Sequence, residues 1–282
     1  MTNIVIGYPN YAKGATYTGG SYVGSLPVTN LGTRELAQVA RTTNTNVSST
    51  KFYVDLTDNR VLRTFALVNH NLSQTATVRI KGSTTAFDTS DAFDTSNVAA
   101  WSLTFDNLVD WESSVWWIGV AGDEYLRSPY SVIIDLGQWK TARYLTIEIS
   151  DTANVDGYVQ IGYFFAGNAI QPAVNMSYGL QDGWIDYSSV EQSENGTEFF
   201  TERRRLRTVT LALDWLSEGE SKYFHELQRM CGTVNDILYI PYPDNREETQ
   251  RYGFLGRLEE LSPVERVFLS TRKLPLKIKE RA

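Results

Sequence analysis

Two short stretches near the middle of the chain constrain its fold most, because each alternates apolar and polar residues. Residues 145–149 read LTIEI, and residues 158–165 read YVQIGYFF. A period of two is typical of a half-buried β-strand. Residues 150–157, SDTANVDG, are rich in turn formers and separate the two stretches. This order predicts a hairpin that ends near Gly167, with Pro172 stopping any continuation.

Further strand patterns precede these two stretches at short intervals. They lie at residues 51–56, 61–68, 75–80 and 131–136 and are separated by runs rich in Asn, Asp, Ser, Thr and Gly. Aromatic residues make up 12% of the chain, which fits β structure or an interaction surface. Short strands with turns at close spacing, and no long helix between them, predict an antiparallel sandwich.

The second half of the chain mixes strands with one helix. Residues 207–215, RTVTLALDW, alternate as a strand does, and strands are also predicted around the turn SENG at residues 193–196. Ser217 followed by Glu220 forms a capping-box pattern, apolar residues recur at helical spacing, and Gly232 supplies a stop. A helix of about residues 218–231 is therefore predicted. More strands follow at residues 236–242, 251–258 and 266–278.

Composition narrows the classes of function. The formal net charge of −7 argues against a protein built to bind nucleic acid. The single cysteine, Cys231, excludes an intramolecular disulfide and suggests folding in a reducing cytoplasm. The first residues lack the pattern of a signal peptide, and no apolar run approaches the roughly 18 residues of a membrane span. We therefore expect no membrane insertion.

No pattern of catalytic or metal-binding residues stands out. His70 and His225 lack a second His or Cys at ligand spacing, and no nucleotide-binding, serine-hydrolase or zinc-protease motif is present. Asp135, Asp151 and Asp156 could form a glycosidase pair, but we favour turn capping through their side chains. The sequence thus predicts a protein that is not an enzyme, with no catalytic residues, cofactor or metal ligands.

Four arginines, Arg203, Arg204, Arg205 and Arg207, form the densest run of charge. A nucleic-acid contact is one interpretation, but a solvated strand edge or pairing with an acidic neighbouring subunit is favoured. Acidic counterparts are available elsewhere in the chain, at Glu191, Glu194, Glu247, Glu248, Glu259 and Glu260. The candidate subunit interface combines the arginines with strand aromatics, and comprises Arg203, Arg204, Arg205, Arg207, Tyr239, Tyr242 and Phe254.

Tryptophans cluster between Trp101 and Trp117. They form either core packing or an exposed platform for a sugar or a protein partner. Because Trp116 and Trp117 are adjacent, a strand would direct them to opposite faces, so one is expected outside the core. The candidate sugar or partner surface is Trp111, Trp116 and Trp117.

The first half of the chain resembles a discoidin-type, galactose-binding-like jelly roll. Three segments carry the resemblance over residues 40–167: VDLTDNRVLRTFALVNHNLSQTATVRIKGS, IIDLGQWKTARYLTIEISD and GYVQIGYFFAG. The flanking cysteines of extracellular members are absent. The resemblance implies a jelly-roll fold, with a saccharide or Ca²⁺ at the loops as an open alternative.

The second half resembles distal tail or baseplate proteins of long-tailed bacteriophages. The segments are RTVTLALDWLS, a short helix, GTVNDILYIPYPD, RYGFLGRL and LPLKIKE. In many proteins of that group a ring-forming domain comes first, whereas here it would come last or be assembled from both ends of the chain. The expected fold is mainly β, with an N-terminal antiparallel jelly-roll sandwich over 1–170. A tail-ring-like β domain carrying one α-helix would follow over 171–282.

The combined resemblance implies a structural component of a tail tip or baseplate. It would associate with itself in a ring and contact the tail tube, the hub and the end of the tape measure. The alternative is a carbohydrate-binding module of a host-recognition apparatus, with a host-surface saccharide as partner. The expected location is the virion, after synthesis and assembly in the bacterial cytoplasm.

Overall fold

A computed structural model describes residues 2–102, 131–268 and 270–281. The chain divides into two compact units. Unit one comprises Met1–Ile170 with Leu238–Phe254, and unit two comprises Gln171–Ile237 with Leu255–Ala282. The predicted division into domains 1–170 and 171–282 stays a prediction, and the compact units differ from it in placing Leu238–Phe254 in unit one.

Strands dominate both units, so the predicted mainly β fold class is confirmed. In chain order the strands are β1 Val5–Asn10, β2 Thr16–Thr18, β3 Ala40–Arg41, β4 Phe52–His70, β5 Thr77–Ser83, β6 Phe93–Asp94, β7 Val98–Ala99, β8 Ser131–Ser150, β9 Gln160–Ile170, β10 Gln181–Ile185, β11 Ser189–Gln192, β12 Glu198–Thr201, β13 Leu206–Leu216, β14 Ile237–Ile240, β15 Phe254–Leu258 and β16 Arg272–Glu280. The helices are a 3-10 helix at Val28–Gly32, α1 Val47–Thr50, α2 Glu218–Cys231 and α3 Arg246–Tyr252. None of the helices in the described ranges has the length and apolarity needed to cross a membrane.

Unit one is a two-layer jelly-roll sandwich in which β4 and β8 belong to both layers. In the first layer, Phe52 of β4 pairs with Ile147 of β8, and β5 pairs with that same part of β8. In the second layer, Phe65 of β4 lies between Ile134 of β8 and Ala166 of β9. The β4–β8 register shifts twice between the two layers. Such irregularities bend strands and let them pass from one sheet to another.

The core of unit one lies between the two layers. Phe52 from the first layer meets Phe164 from the second edge-to-face, with ring centroids 5.7 Å apart. Both side chains are fully buried, as are Leu145, Ile147 and Ile149 of the alternating stretch. Burial of one such side chain stabilises the fold by about 1.5–3 kcal/mol, so this contact helps to hold the two layers together.

The hairpin predicted from residues 143–167 is wrong, although both of its strands exist. β8 and β9 follow each other in sequence, but β4 lies between them in the second layer. The end of β8 belongs to the first layer, so residues 151–159 cross from one layer to the other. Alternation of apolar residues identifies a strand but does not identify its partner.

The second segment of unit one, Leu238–Phe254, contains a helix that was not predicted from the sequence. A strand was predicted at residues 251–258, whereas α3 occupies Arg246–Tyr252 and β15 begins only at Phe254. The Asn245 side chain accepts hydrogen bonds from the backbone N–H groups of Glu247 and Glu248. An Asn cap followed by acidic residues in the first turn favours a helix start here.

Unit two is an antiparallel sheet in the order β10–β13–β16–β15, with α2 packed against β13. The predicted helix at residues 218–231 is confirmed, and its capping box is formed. The Ser217 hydroxyl accepts a hydrogen bond from the backbone N–H of Glu220, and the Glu220 carboxylate accepts one from the backbone N–H of Ser217. Buried apolar residues of β13 and β16 share one sheet face, namely Val209, Leu211, Leu213, Leu274, Leu276 and Ile278.

Unit two also contains a separate two-stranded ribbon, in which β11 pairs with β12. Its register pairs Val190 with Phe200 and Glu191 with Phe199. The turn predicted at residues 193–196 is confirmed, because Gly196 has a φ of +81° and its N–H donates to the Ser193 carbonyl. Every residue of β12 is exposed. We call Ser189–Thr201 the arm.

Candidate functional site

Each of the three carboxylates considered for catalysis accepts hydrogen bonds from a neighbouring part of the fold. Asp135 accepts two hydrogen bonds from the Arg63 guanidinium, at 2.8 and 3.0 Å, and the Trp139 ring lies 4.8 Å from that guanidinium. The other two lie at the crossing of residues 151–159. Asp151 accepts the Ser73 N–H at 2.9 Å, and Asp156 accepts the Asn71 side-chain N–H at 2.8 Å. These contacts fix strand and loop ends.

The two histidines differ in burial. His70 is buried, its Nδ1 accepts the Leu72 N–H at 3.2 Å, and burial lowers the pKa of its imidazole to about 3. It therefore stays neutral at physiological pH. His225 is exposed on α2. Within the described ranges, no group of three His, Cys, Asp or Glu side chains is arranged to hold a metal ion.

The single cysteine is not poised for thiol chemistry. Cys231 is buried at the end of α2, and its thiol donates to the Asn235 carbonyl at 3.1 Å. Burial raises the pKa of this thiol to about 12. Because the thiolate is the reactive form of cysteine, Cys231 has little nucleophilic character.

One end of the jelly roll gathers an aromatic ring and planar polar groups. The Arg41 guanidinium lies 4.2 Å from the Tyr158 ring centroid and donates to the Gln160 side chain at 2.8 Å. Asn71 donates to the Tyr158 carbonyl and to Asp156. We call Arg41, Asn71, Asp156, Tyr158 and Gln160 the loop-end cluster. An aromatic face beside fixed hydrogen-bonding groups suits a small polar ligand.

The four arginines of the candidate interface do not form one free stripe. The Arg207 guanidinium pairs with the buried Glu280 carboxylate at 2.7 Å, and the Arg207 backbone N–H donates to the same carboxylate. Arg204 lies 3.9 Å from Glu280. Arg205 pairs with Asp186 at 3.2 Å, and the Arg203 backbone N–H donates to Ser188. These contacts close the base of the arm and tie it to the sheet.

The aromatic members of the candidate interface require a correction. Tyr239 and Phe254 are each only 1% exposed, and their ring centroids lie 5.3 Å apart inside unit one. Both side chains are buried, and Tyr239 lies on β14, which pairs with β1. Tyr242 is half-buried and meets Tyr252 edge-to-face. Apolar contact area for a subunit interface must therefore come from other residues.

The candidate tryptophan surface consists of Trp111, Trp116 and Trp117, and all three lie outside the described residues. Trp101, at the start of that cluster, is half-buried. Its indole N–H donates to the Leu72 carbonyl at 2.9 Å, and its ring meets His70 edge-on at 5.5 Å. Trp101 therefore contributes to the packing around His70.

Sequence reasoning missed where the exposed apolar side chains concentrate. Among the described residues, fourteen large apolar side chains of unit two are strongly exposed, against four of unit one. The arm contributes Val190, Phe199 and Phe200, which are 58%, 61% and 71% exposed. The available signal was the SENG turn, flanked by these apolar residues and by glutamates. Concentrated exposed apolar area marks interaction surfaces.

Comparisons with known proteins find similarity in structure but not in sequence. No protein-family model matches the chain, and no curated protein matches it in a sequence search. A family 32 carbohydrate-binding module from Clostridium perfringens NanJ, in complex with galactose, covers 58% of this chain and 99% of its own length. Its sequence identity is 10% and its TM-score is 0.40.

Two further solved structures give similar values. A mutant lectin-binding domain of Lectinolysin, complexed with Lewis b, is 14% identical, covers 58% of this chain and 99% of its own, and has a TM-score of 0.39. A fucose-binding module from Streptococcus pneumoniae is 14% identical, covers 57% and 98% of the two chains, and has a TM-score of 0.37. Galactose, Lewis b and fucose are ligands of those proteins.

Proposed function

We propose that this chain is a non-enzymatic structural component of a bacteriophage tail tip or baseplate. It would work by associating with itself in a ring and by connecting neighbouring tail proteins. The self-association is supported by the concentration of exposed apolar side chains in the described part of unit two, including both faces of the arm. Such area is costly in water and is typical of association surfaces. The assignment to a tail rests on the resemblance of residues 207–280 to distal tail proteins.

Association of identical subunits through two different surfaces produces a ring when the rotation closes. Unit two offers material for two such surfaces, because the arm and the sheet carry different charges. Unit one, in which most of the described apolar side chains are enclosed, would then serve as the connecting module. Charge pairs exposed at a rim contribute only about 0–1 kcal/mol each, so apolar contact would hold the ring and charge would fix its register.

The test is sedimentation of the purified full-length chain over a range of protein and salt concentrations, with images of the particles by electron microscopy. We expect closed rings, an association rate that falls with salt, and an assembled state that depends less on salt. A chain that stays monomeric at high concentration, with its tail partners present, would overturn the proposal.

A second candidate function is carbohydrate binding by unit one. The observation in its favour is the loop-end cluster, where Arg41 and Tyr158 stack beside the Gln160 side chain. Titration calorimetry with galactose and with fucose-containing saccharides tests it, using Tyr158→Ala as the loss variant. The matched control is Tyr144→Ala, a half-buried tyrosine that also stacks on an arginine. No heat of binding from any of these saccharides would exclude this candidate.

The proposal includes the absence of hydrolase activity. Asp135, Asp151 and Asp156 each accept a hydrogen bond from a neighbouring protein group, which supports a structural role for these carboxylates. Polysaccharide turnover is measured by release of reducing ends. Turnover that disappears in Asp135→Asn or Asp151→Asn, while the variant keeps its fold, would contradict a non-enzymatic role.

A further inference from the structure

The arm combines negative charge with exposed apolar rings. Ser189–Thr201 contains Glu191, Glu194 and Glu198 and no lysine or arginine. Residues opposite each other in an antiparallel pair point to the same side, so Val190 and Phe200 share one face while Glu191 and Phe199 share the other. Each face of the arm therefore presents a phenyl ring. A two-stranded ribbon alone is at best marginally stable in water, which favours a docked arm.

The complementary surface lies on the unit two sheet, on the face opposite the buried leucines. There β16 places Lys273, Pro275, Lys277 and Lys279 at alternate positions, all half-exposed. Ala212 of β13 pairs with Pro275 on this face. We call these five residues the lysine face.

Cations exceed anions on the lysine face. Lys273 pairs with Asp214 at 3.3 Å, and Lys277 pairs with Glu259 at 3.2 Å. Lys279 instead lies over the Tyr187 ring, at 4.6 Å from its centroid. The long aliphatic stems of lysine cover apolar surface while their ammonium groups stay in water, so this face suits a partner that is both acidic and aromatic.

We propose that the arm of one copy lies across the lysine face of a neighbouring copy. The partner is a second copy because the arm is tied at its base to its own sheet by Arg205 and Ser188, and its apolar residues remain exposed there. Glu198 shares its face of the arm with Phe200, and Glu191 shares the opposite face with Phe199. Whichever face docks therefore presents one glutamate to the lysine ammonium groups and one phenyl ring to Ala212, Pro275 and the lysine stems. This contact rests on the proposed self-association and identifies its two surfaces.

Charge decides against arm-to-arm pairing. Two arms in contact would bring six glutamates together without a cation from either, and like charges in an interface are unfavourable. Arm to lysine face instead joins two different surfaces. Such a heterologous contact can repeat around an axis and close.

A charge exchange tests the contact. The arm variant is Glu191→Lys with Glu198→Lys, and the face variant is Lys277→Glu with Lys279→Glu. Each alone should raise the concentration of half-assembly by about tenfold or more, because it sets like charges opposite each other. All four substitutions in one chain should return assembly to within about threefold of the wild type. Circular dichroism checks that each variant is folded.

The matched control is Glu35→Lys with Glu226→Lys, which makes the same change of net charge as the arm variant at two exposed positions outside both surfaces. It should assemble as the wild type does. Rings that form equally well in the arm and face variants would overturn the arm contact and leave the proposed ring standing. The same holds if the fourfold variant fails to recover. A wild-type chain that never associates would overturn both.

Discussion

Unit one and unit two are both antiparallel β structures, but they differ in where their apolar side chains lie. Unit one encloses them between two layers, as with Phe52 and Phe164. Unit two has one sheet with α2 on one side, and it leaves Phe199, Phe200, Trp215 and Tyr223 exposed. A sandwich has an inside for both sheets, whereas a single sheet has a second face that needs another partner. This difference is the one on which the proposed self-association of unit two depends.

The largest expected effect compares one phenylalanine from each unit. Phe164→Ala should lower the free energy of unfolding of unit one by about 3–5 kcal/mol, because it opens a cavity in a filled core. Phe200→Ala removes a side chain that is 71% exposed and should change the stability of the monomer by less than about 0.5 kcal/mol. Chemical denaturation of dilute protein measures both. A large loss for Phe200→Ala would show that the arm is packed within its own chain.

The two units can also be compared through one ion pair each, a buried pair in unit one and an exposed pair in unit two. Arg63→Met should cost about 3–5 kcal/mol, because it leaves the Asp135 carboxylate buried without its cation. Arg205→Met breaks an exposed pair with Asp186 and should leave the unfolding midpoint unchanged. Equal losses in the two variants would contradict the difference in burial on which this prediction depends.

The free energy of unfolding, measured as a function of pH, tests the burial of His70 in unit one. The folded pKa of His70 is about 3, below the 6.5 of an unperturbed imidazole, so the unfolded chain takes up the proton first. The free energy of unfolding should therefore fall as the pH drops from about 6.5 towards 3, by up to about 1.4 kcal/mol per pH unit. His70→Gln should remove this part of the slope. An unchanged slope would mean that His70 is already protonated in the folded state.

The smallest effect concerns the helix of unit two. Ser217→Ala removes both the acceptor for the Glu220 N–H and the hydroxyl that bonds its carboxylate. Loss of such a cap costs about 1 kcal/mol. Thermal unfolding followed at helix wavelengths measures it, with Ser189→Ala in the arm as the matched control. A stabilised or unchanged helix in Ser217→Ala would contradict the assigned cap.

The sequence alone determined the features whose interactions are local. The helix α2 was predicted with its limits, because Ser217, Glu220 and Gly232 lie within or beside it and act over a few residues. The alternation of β13 and the turn of the arm were predicted for the same reason. The jelly-roll class followed from the resemblance of residues 40–167 and agrees with the observed pairing of β4, β8 and β9.

Tertiary structure alone decided strand partners and burial. β4 separates β8 from β9, and Arg207 meets Glu280 across 73 residues of sequence, which no local pattern specifies. Residues of the same type also differ in burial, since Phe254 is buried while Phe199 and Phe200 are exposed. Alternation fixes which side chains share a face, but whether a second layer covers that face depends on contacts between distant segments.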